Sequence, residues 1–475
     1  MGDPEPQNSP VLPAEGVTPA ERYLGQLCRR TFLSMWSYPA VYRDQGRKNG
    51  KGDGKELCDL LVVFDNHVII FSDKDCCFKS GDLDIAWPRW FRKAVMKSAG
   101  QWGAQRWIRD YPNLIFLDRG CSQPFPVSFP DPDKAIFHRI VVAHDAARAC
   151  EQVLGGSGSL MLDNSIVGDM HFSFFPFTIG RLDETKGYVH VFDDTTLDIV
   201  MSTLDTITDF TEYLTKKEKL LDGDRMVRAA GEEEILAVYL SKMNEAGEHD
   251  FVIEGNPTRL IFGEGMWESF NQRPEPIAQT EANHISYLWD HLIERFGFHA
   301  MTGTQYFTSG RPFRDQEVAF RFLAREPRLL RRVLSEGFRE ALIESTKKEL
   351  GFHARVVGPL DEDGPWYVFL FLEWRSGMSE AEYREVRRLR LVEYSHVVKL
   401  KYPQALDIVG IATEASLAEG RSEDFTYLDA RRWTPNHQRM AREIQDRFGF
   451  LKKVESTAFR VYEYPVDENG NPRSD

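Results

Sequence analysis

A carboxylate, a hydroxyl and an amine fall within one short stretch of the chain: Glu56-Leu-Cys-Asp59, twelve residues, then Ser72-Asp73-Lys74. The intervening residues are apolar except for Asp65-Asn66-His67, so they read as two strands joined by a tight turn. That turn sets a carboxylate near the head of the first strand against the end of the second, close to Ser72 and Lys74. Because side chains alternate, residues 72 and 74 share a face and Asp73 takes the other. A partly buried lysine there needs an anionic partner, and Asp59 is the nearest. Such a pair suits the hydrolysis of a phosphodiester. The reaction places extra negative charge on the phosphoryl oxygens, which a carboxylate-bound Mg²⁺ stabilises while it lowers the pKa of a coordinated water. An amine within reach of that water acts as base or orienting group. The plainer reading is a structural Asp59–Lys74 ion pair.

The surrounding elements must hold these groups in place. Thr18-Pro19-Ala20-Glu21 is a capping box with proline in the first turn, and Tyr23, Leu24, Leu27, Phe32, Leu33 and Trp36 follow at helical spacing. The helix is predicted to stop before Tyr38-Pro39. Ala40-Val41-Tyr42 reads as extended, and RDQGRKNGKGDGKE after it as a mobile loop. Strands are predicted at Leu57–Phe64 and His67–Phe71, with His67 a turn residue. Their continuous apolar character predicts burial on both faces. A helix is expected over Arg89–Arg109, closed by Tyr111-Pro112-Asn113, and a strand over Leu114–Leu117.

The order helix, three strands, helix, strand, with Asp59 and Lys74 at these positions, resembles the PD-(D/E)XK superfamily of nucleases, which has the restriction-endonuclease-like fold. The resemblance covers residues 19–120. It implies an α/β fold class, with an N-terminal restriction-endonuclease-like αβββαβ core followed by a larger mixed α/β C-terminal region. It also implies that Asp59 binds Mg²⁺ or Mn²⁺ and that Lys74 is the catalytic lysine. The superfamily places an acidic residue two before that lysine, where this chain has Ser72, a poorer metal ligand. A metal site of Asp59, Ser72 and Glu56, or help from Glu21 on the first helix, would compensate; without it the site is disabled. Lys97 and Gln101, one turn apart on the second helix, match positions where members often carry Lys or Gln near the active site. Glu21 has a second explanation as the capping-box glutamate, Glu56 as a loop charge, and Lys97 and Gln101 as solvent-facing helix residues.

Further along, strands are predicted at Phe137–Ala143, Tyr188–Phe192, Tyr367–Leu372 and Asp407–Ala412, with a hairpin at Asp361-Glu362-Asp363-Gly364. Gly155–Ser159 lacks the Lys-Ser/Thr of a phosphate-binding loop and reads as a turn. One long helix is expected over Leu197–Glu218, with Leu204, Ile207, Phe210 and Leu214 buried. Arg325, Arg328, Arg331 and Arg332 are interleaved with Glu and read as a solvated helix face. His171, His190 and His284 have no metal-motif spacing. The expected division is a flexible tail at 1–18, a nuclease-like domain at 19–150, a mixed α/β region at 151–264 and a helix-rich α/β domain at 265–475.

Composition bounds the partners. The 475 residues carry a formal net charge of −14, which argues against whole-surface binding to nucleic acid. Residues 19–110, however, hold about 16 Lys and Arg against about 11 Asp and Glu, a basic front on an acidic body. No run of ~18 apolar residues occurs, so no membrane helix is expected. The acidic, proline-rich start is no secretory signal. The six cysteines, Cys28, Cys58, Cys76, Cys77, Cys121 and Cys150, then read as reduced thiols in a cytoplasmic protein. In a zinc site, the adjacent Cys76 and Cys77 would diverge, and a thiol enzyme at Cys58 or Cys76 lacks a paired His. The expected function is a metal-dependent nuclease, on DNA before RNA, acting as a regulated effector in genome defence or restriction. A protein partner or homo-oligomer would form through residues 151–475. The alternative is a catalytically disabled nuclease-fold protein that serves as an interaction or sensor module.

Overall fold

The structure is a computed structural model and describes residues 11, 15–48, 51–173, 175–307, 312–347, 351–359, 364–417, 420–458 and 461–467. Most of the expected tail at 1–18, the polar end from 468 and the hairpin tip Asp361–Asp363 lie outside the described residues. The protein is mixed α/β. It divides into two compact units, residues 1–278 with 293–327 and 466–475, and residues 279–292 with 328–465.

In the first unit, α1 (Pro19–Phe32) opens with the expected capping box: Thr18 Oγ accepts from the Glu21 N–H at 3.1 Å, and the Glu21 carboxylate accepts from the Thr18 N–H at 3.2 Å. The helix ends four residues before Trp36, because Leu33 turns to a φ of 66°. Trp36 leaves the helical face, donates its indole N–H to Glu317 and packs edge-on against Phe64. β1 (Ser37–Lys48) and β2 (Lys51–Phe64) then pair antiparallel out to Lys48 opposite Lys51. The glycine- and lysine-rich segment expected as a mobile loop is therefore mostly the distal half of a long hairpin. Gly54 shows why glycine belongs there: a Cβ would lie 2.4 Å from the Arg119 carbonyl, to which the Gly54 N–H donates.

Asp65, at a φ of 49°, makes the expected tight turn into β3 (His67–Lys74). His67 is the first residue of that strand and pairs with Phe64. The helix expected over Arg89–Arg109 is broken into α2 (Leu83–Phe91), a wide turn at Arg92–Met96, a tight turn at Ser98–Gly100, and α3 (Gln101–Asp110). Ser98 Oγ takes the Ala94 carbonyl at 2.9 Å, a back-bond of the kind that bends helices. The strand expected at Leu114–Leu117 shrinks to β4 (Ile115–Phe116), which pairs with β1 at the outer edge. The strand parallel to β3 is β5 (Ile136–Ala143).

After α4 (Ala147–Leu154), β6 (Met161–Val167) and β7 (Thr178–Arg181) start a second sheet, while β8 (His190–Asp193) returns to pair parallel with β5. The first sheet thus has the order β4-β1-β2-β3-β5-β8. It draws one strand from beyond residue 150, where a domain boundary was expected. The helix expected over Leu197–Glu218 is two, α5 (Thr196–Thr203) and α6 (Ile207–Leu221), because Thr206 caps α6 by accepting from the Asp209 N–H. Leu204, Ile207, Phe210 and Leu214 are buried as expected. β9 (Met226–Ala229), α7 (Glu232–Leu240), β10 (Arg259–Phe262) and α8 (Met266–Asn271) complete the second sheet and its cover, in the order β10-β9-β6-β7.

The second unit carries a sheet of β11 (Phe352–Val357), β12 (Trp366–Leu372), β13 (Asp407–Glu414) and β14 (Asp424–Asp429) in sequence order. Helix Glu380–Lys401 crosses between the parallel pair β12 and β13, and Leu391, Val397 and Val398 pack on Val368, Leu370 and Ile408. Helix Arg328–Lys347 corrects the expected solvated arginine face. Arg328 and Arg332 are buried, and Arg331 is fully so; Arg328 and Arg331 reach the two oxygens of Asp290 at 2.8 and 2.6 Å. Arg325 lies outside that helix and belongs to the first unit, where it pairs with Asp65. Among the described residues, no helix is long and apolar enough to cross a membrane.

Removing one partner of a buried pair leaves a desolvated charge. Asp290→Ala is expected to cost about 3 kcal/mol or more of unfolding free energy. Urea denaturation followed by circular dichroism checks this, and Glu340→Ala, at an exposed pair with Arg355, should shift the curve by less than about 1 kcal/mol.

Candidate functional site

Strand register determines which groups meet. Leu60 pairs with Phe71 and Ser72 with Val141, so alternation puts Asp59, Ser72, Lys74 and Val141 on one face of the first sheet. His67, Asp73, His138 and His190 point to the other. The first face is covered by α2 and the turn after it, where Trp87, Trp90, Phe91 and Val95 pack with Val141, Ala143 and Val191. The opposite face takes α1 and α6: Phe32 lies 6.1 Å from Phe71 and 5.0 Å from Phe210, ring centre to centre.

Asp59, Ser72 and Lys74 come together as expected. Asp59 Oδ2 accepts from Ser72 Oγ at 3.1 Å and from the Asp73 N–H at 2.7 Å, and Lys74 Nζ stands 3.5 Å away. All three contacts fall on one oxygen, and among the described residues Oδ1 has no hydrogen-bond partner. Burial raises the Asp59 pKa, against the Lys74 ammonium and the two hydrogen bonds, which lower it. Glu56 is exposed, and among the described residues it makes no hydrogen bond or ion pair. Its pKa is also raised, first by partial burial and then by the charges of Asp59 and Glu21, with Lys74 opposing. The Asp59 charge thus reaches Glu56, and Lys74 offsets part of it.

Other expected members are committed elsewhere. Both polar contacts of the Glu21 carboxylate are to the capping turn, the Val17 N–H at 2.7 Å and the Thr18 N–H. Its helix packs through Phe32 on the face opposite Asp59. Gln101 is buried on the Asp59 side of the sheet, but its amide donates to the Ile140 carbonyl of β5 at 2.5 Å. Its Oε1 is buried with no partner. Lys97 is exposed, and the turns between it and Gln101 remove the shared helical face. The cysteines are free thiols, with Cys76 against the core and Cys77 exposed.

Sequence reasoning missed two clusters. In the first, Asp73 on the far face meets His144 Nε2 at 2.7 Å through Oδ1, and His144 Nδ1 meets Asp194 Oδ1 at 2.5 Å. The Asp194 hydrogen bond, then that of Asp73, holds the His144 pKa up at about 10. In the second, His138 and His190 converge on Glu218 of α6. The available signal was a histidine inside each of two apolar strands, FHRIVVA and YVHVF, at positions that face inward once the strands are neighbours.

His144 yields a pH dependence. Its folded pKa lies above the unfolded value of about 6.5, so its stabilisation is complete below that pH and is lost as pH rises through about 10. His144→Ala should cost about 2 kcal/mol or more near pH 6, and the gap to the parent should close by about pH 10.5. Urea midpoints at the two pH values measure it; a gap independent of pH would mean that His144 is neutral in the fold. Comparison of the chain with protein-family models, with curated proteins and with solved structures returned no match.

Proposed function

We propose that the chain is a metal-dependent nuclease that hydrolyses phosphodiester bonds, in DNA before RNA, with its site at Asp59, Ser72 and Lys74. The observation that carries this reading is the Asp59 carboxylate, whose Oδ2 is held by Ser72, Asp73 and Lys74 while Oδ1 has no partner among the described residues. Asp59 and Glu56 both have pKa values raised first by burial, against the Lys74 ammonium, and two carboxylates so placed are a donor set that fits a divalent cation. Asp59 Oδ1 and Glu56 would hold Mg²⁺ or Mn²⁺, with Ser72 Oγ beside them as a neutral ligand. The ion supplies charge stabilisation at the phosphoryl oxygens and a water of lowered pKa.

The chain's own groups do the rest. Lys74 places an ammonium next to the carboxylate, where it neutralises phosphate charge and donates a hydrogen bond that orients the attacking water. Ser72 and the Asp73 N–H hold Asp59 in a fixed rotamer. Gln101 joins the covering helix to the strand next to β3 and so acts on the site through the sheet. The basic excess over residues 19–110 suits contact with a phosphate backbone. Free thiols suit a reducing cytoplasm. A regulated effector in genome defence or restriction would draw on residues 151–475 for a protein partner or a second copy; this part rests on analogy of fold alone.

A second reading is a disabled nuclease-fold protein that binds without cutting. Two observations favour it: a hydroxyl at position 72, and among the described residues no cluster of three metal-ligating side chains at Asp59.

Cleavage of supercoiled plasmid with Mg²⁺ or Mn²⁺ separates the two. Under the nuclease reading, Asp59→Ala and Lys74→Ala each lower the rate by about 10²-fold or more with the fold intact, and Ser72→Glu raises it. DNA binding without cleavage by any of these proteins would establish the second reading, and cleavage that survives both alanine variants would place the active site elsewhere.

A further inference from the structure

His138 on β5, His190 on β8 and Glu218 near the end of α6 meet under the face of the sheet opposite Asp59. Both histidine side chains are fully buried, and Glu218 keeps 21% of its side chain exposed. His138 Nδ1 lies 3.1 Å and His190 Nε2 2.9 Å from the same oxygen, Glu218 Oε1, and all three ligand atoms lie within 4.8 Å of one another. From those distances, the point equidistant from the three atoms is at most about 2.5 Å from each, near the 2.0–2.2 Å of zinc–imidazole and zinc–carboxylate bonds.

The neighbours leave both histidines able to act as ligands. His67 Nδ1 stands 3.0 Å from His138 Nε2, with the two rings stacked at 8°. With the proton of His138 on Nε2 and donated to His67, the Nδ1 lone pair is turned towards Glu218. This is the arrangement by which a second residue orients a metal-bound histidine. Without a cation, that tautomer would set a lone pair against a carboxylate oxygen. Among the described residues His190 Nδ1 has no hydrogen-bond partner, so Nε2 makes the ring's one polar contact there. The three groups come from two adjacent strands and the helix that covers them, so no local turn brings them together.

We propose that His138 Nδ1, His190 Nε2 and Glu218 Oε1 bind a zinc-class divalent cation, at a site separate from Asp59. Two imidazoles and one carboxylate select zinc and its transition-metal neighbours over Mg²⁺ and Ca²⁺, which prefer oxygen. Three protein ligands leave a coordination position free, and the exposed edge of Glu218 is where water would fill it. The ion would tie the last turn of α6 to β5 and β8, and His67 is a positioning residue for His138.

The test uses tag-free, full-length protein. After dialysis against metal-free buffer, elemental analysis should find one zinc per chain in the parent and in Asp59→Ala, and none in Glu218→Gln or His190→Asn with unchanged circular dichroism. Chelator-stripped parent should regain the ion on titration with Zn²⁺ alone, with a rise in melting temperature that saturates at one equivalent and that Mg²⁺ does not reproduce. Co²⁺ in its place should show the visible d–d bands of a four-coordinate site. His67→Phe should weaken Zn²⁺ binding about tenfold. Stripped parent that takes up no Zn²⁺, or Glu218→Gln that folds and keeps it, would overturn the proposal. If the ligand variants do not fold, the parent titration and the Co²⁺ spectrum decide it.

Discussion

β3 is paired on both sides, antiparallel to β2 and parallel to β5, and the register of those two pairings governs everything near it. Eight residue pairs run from His67 opposite Ile136 to Lys74 opposite Ala143. Because side chains alternate, a shift of one residue would exchange the two faces and carry Ser72 and Lys74 away from Asp59. The same shift would turn His67 away from His138. Apolar residues on both sides of the strand make that shift costly: Val68 and Ile70 point to one cover, Ile69 and Phe71 to the other, and all four are fully buried. The sheet thus separates an acidic, lysine-bearing edge from a histidine-rich interior by no more than the thickness of a strand.

Charge burial is the second constraint on the fold. Lys217 is fully buried on α6 and pairs with Glu232, whose other oxygen accepts from Tyr213 Oη at 2.6 Å. The next two acids of that run are used as well. Glu233 accepts from Ser157 Oγ at 2.6 Å, and Glu234 accepts from the Gly265 and Trp267 N–H groups at the start of α8. In the second unit, Arg387 is fully buried against Asp424 at 2.6 Å, as Arg331 is against Asp290. Pairs of this kind add little net stability against an apolar replacement, but removing one partner is costly. They hold helices in one register against their neighbours, at places where an apolar contact would tolerate sliding.

The N-terminal cluster of side chains was legible because it is local. Asp59, Ser72 and Lys74 lie on two strands joined by a two-residue turn, so alternation and turn length suffice to bring them together. The capping box at Thr18 and Glu21 was legible for the same reason, and that box takes up the hydrogen bonds of the Glu21 carboxylate. Gln101 was placed on a helical face shared with Lys97, and the bend at Ser98 removed that face. Arg328 and Arg331 looked solvated because their acid, Asp290, lies some forty residues earlier, beyond any local pattern.

Local pattern alone determined several of the apolar strands, where α1 begins, that Leu204 and, on α6, Ile207, Phe210 and Leu214 face inward, and that Asp59 and Lys74 meet. Tertiary structure alone decided that β8 returns to the first sheet beside β5, that β4 leaves for the far edge, and that Gly54 lies against Arg119 rather than in a free loop. It also decided that His138, His190 and Glu218 converge. The reason is the range of the forces concerned. Alternation, capping and turn geometry act over a few residues and leave their mark in sequence, whereas the neighbours of a strand depend on which distant segments bury each other's apolar faces.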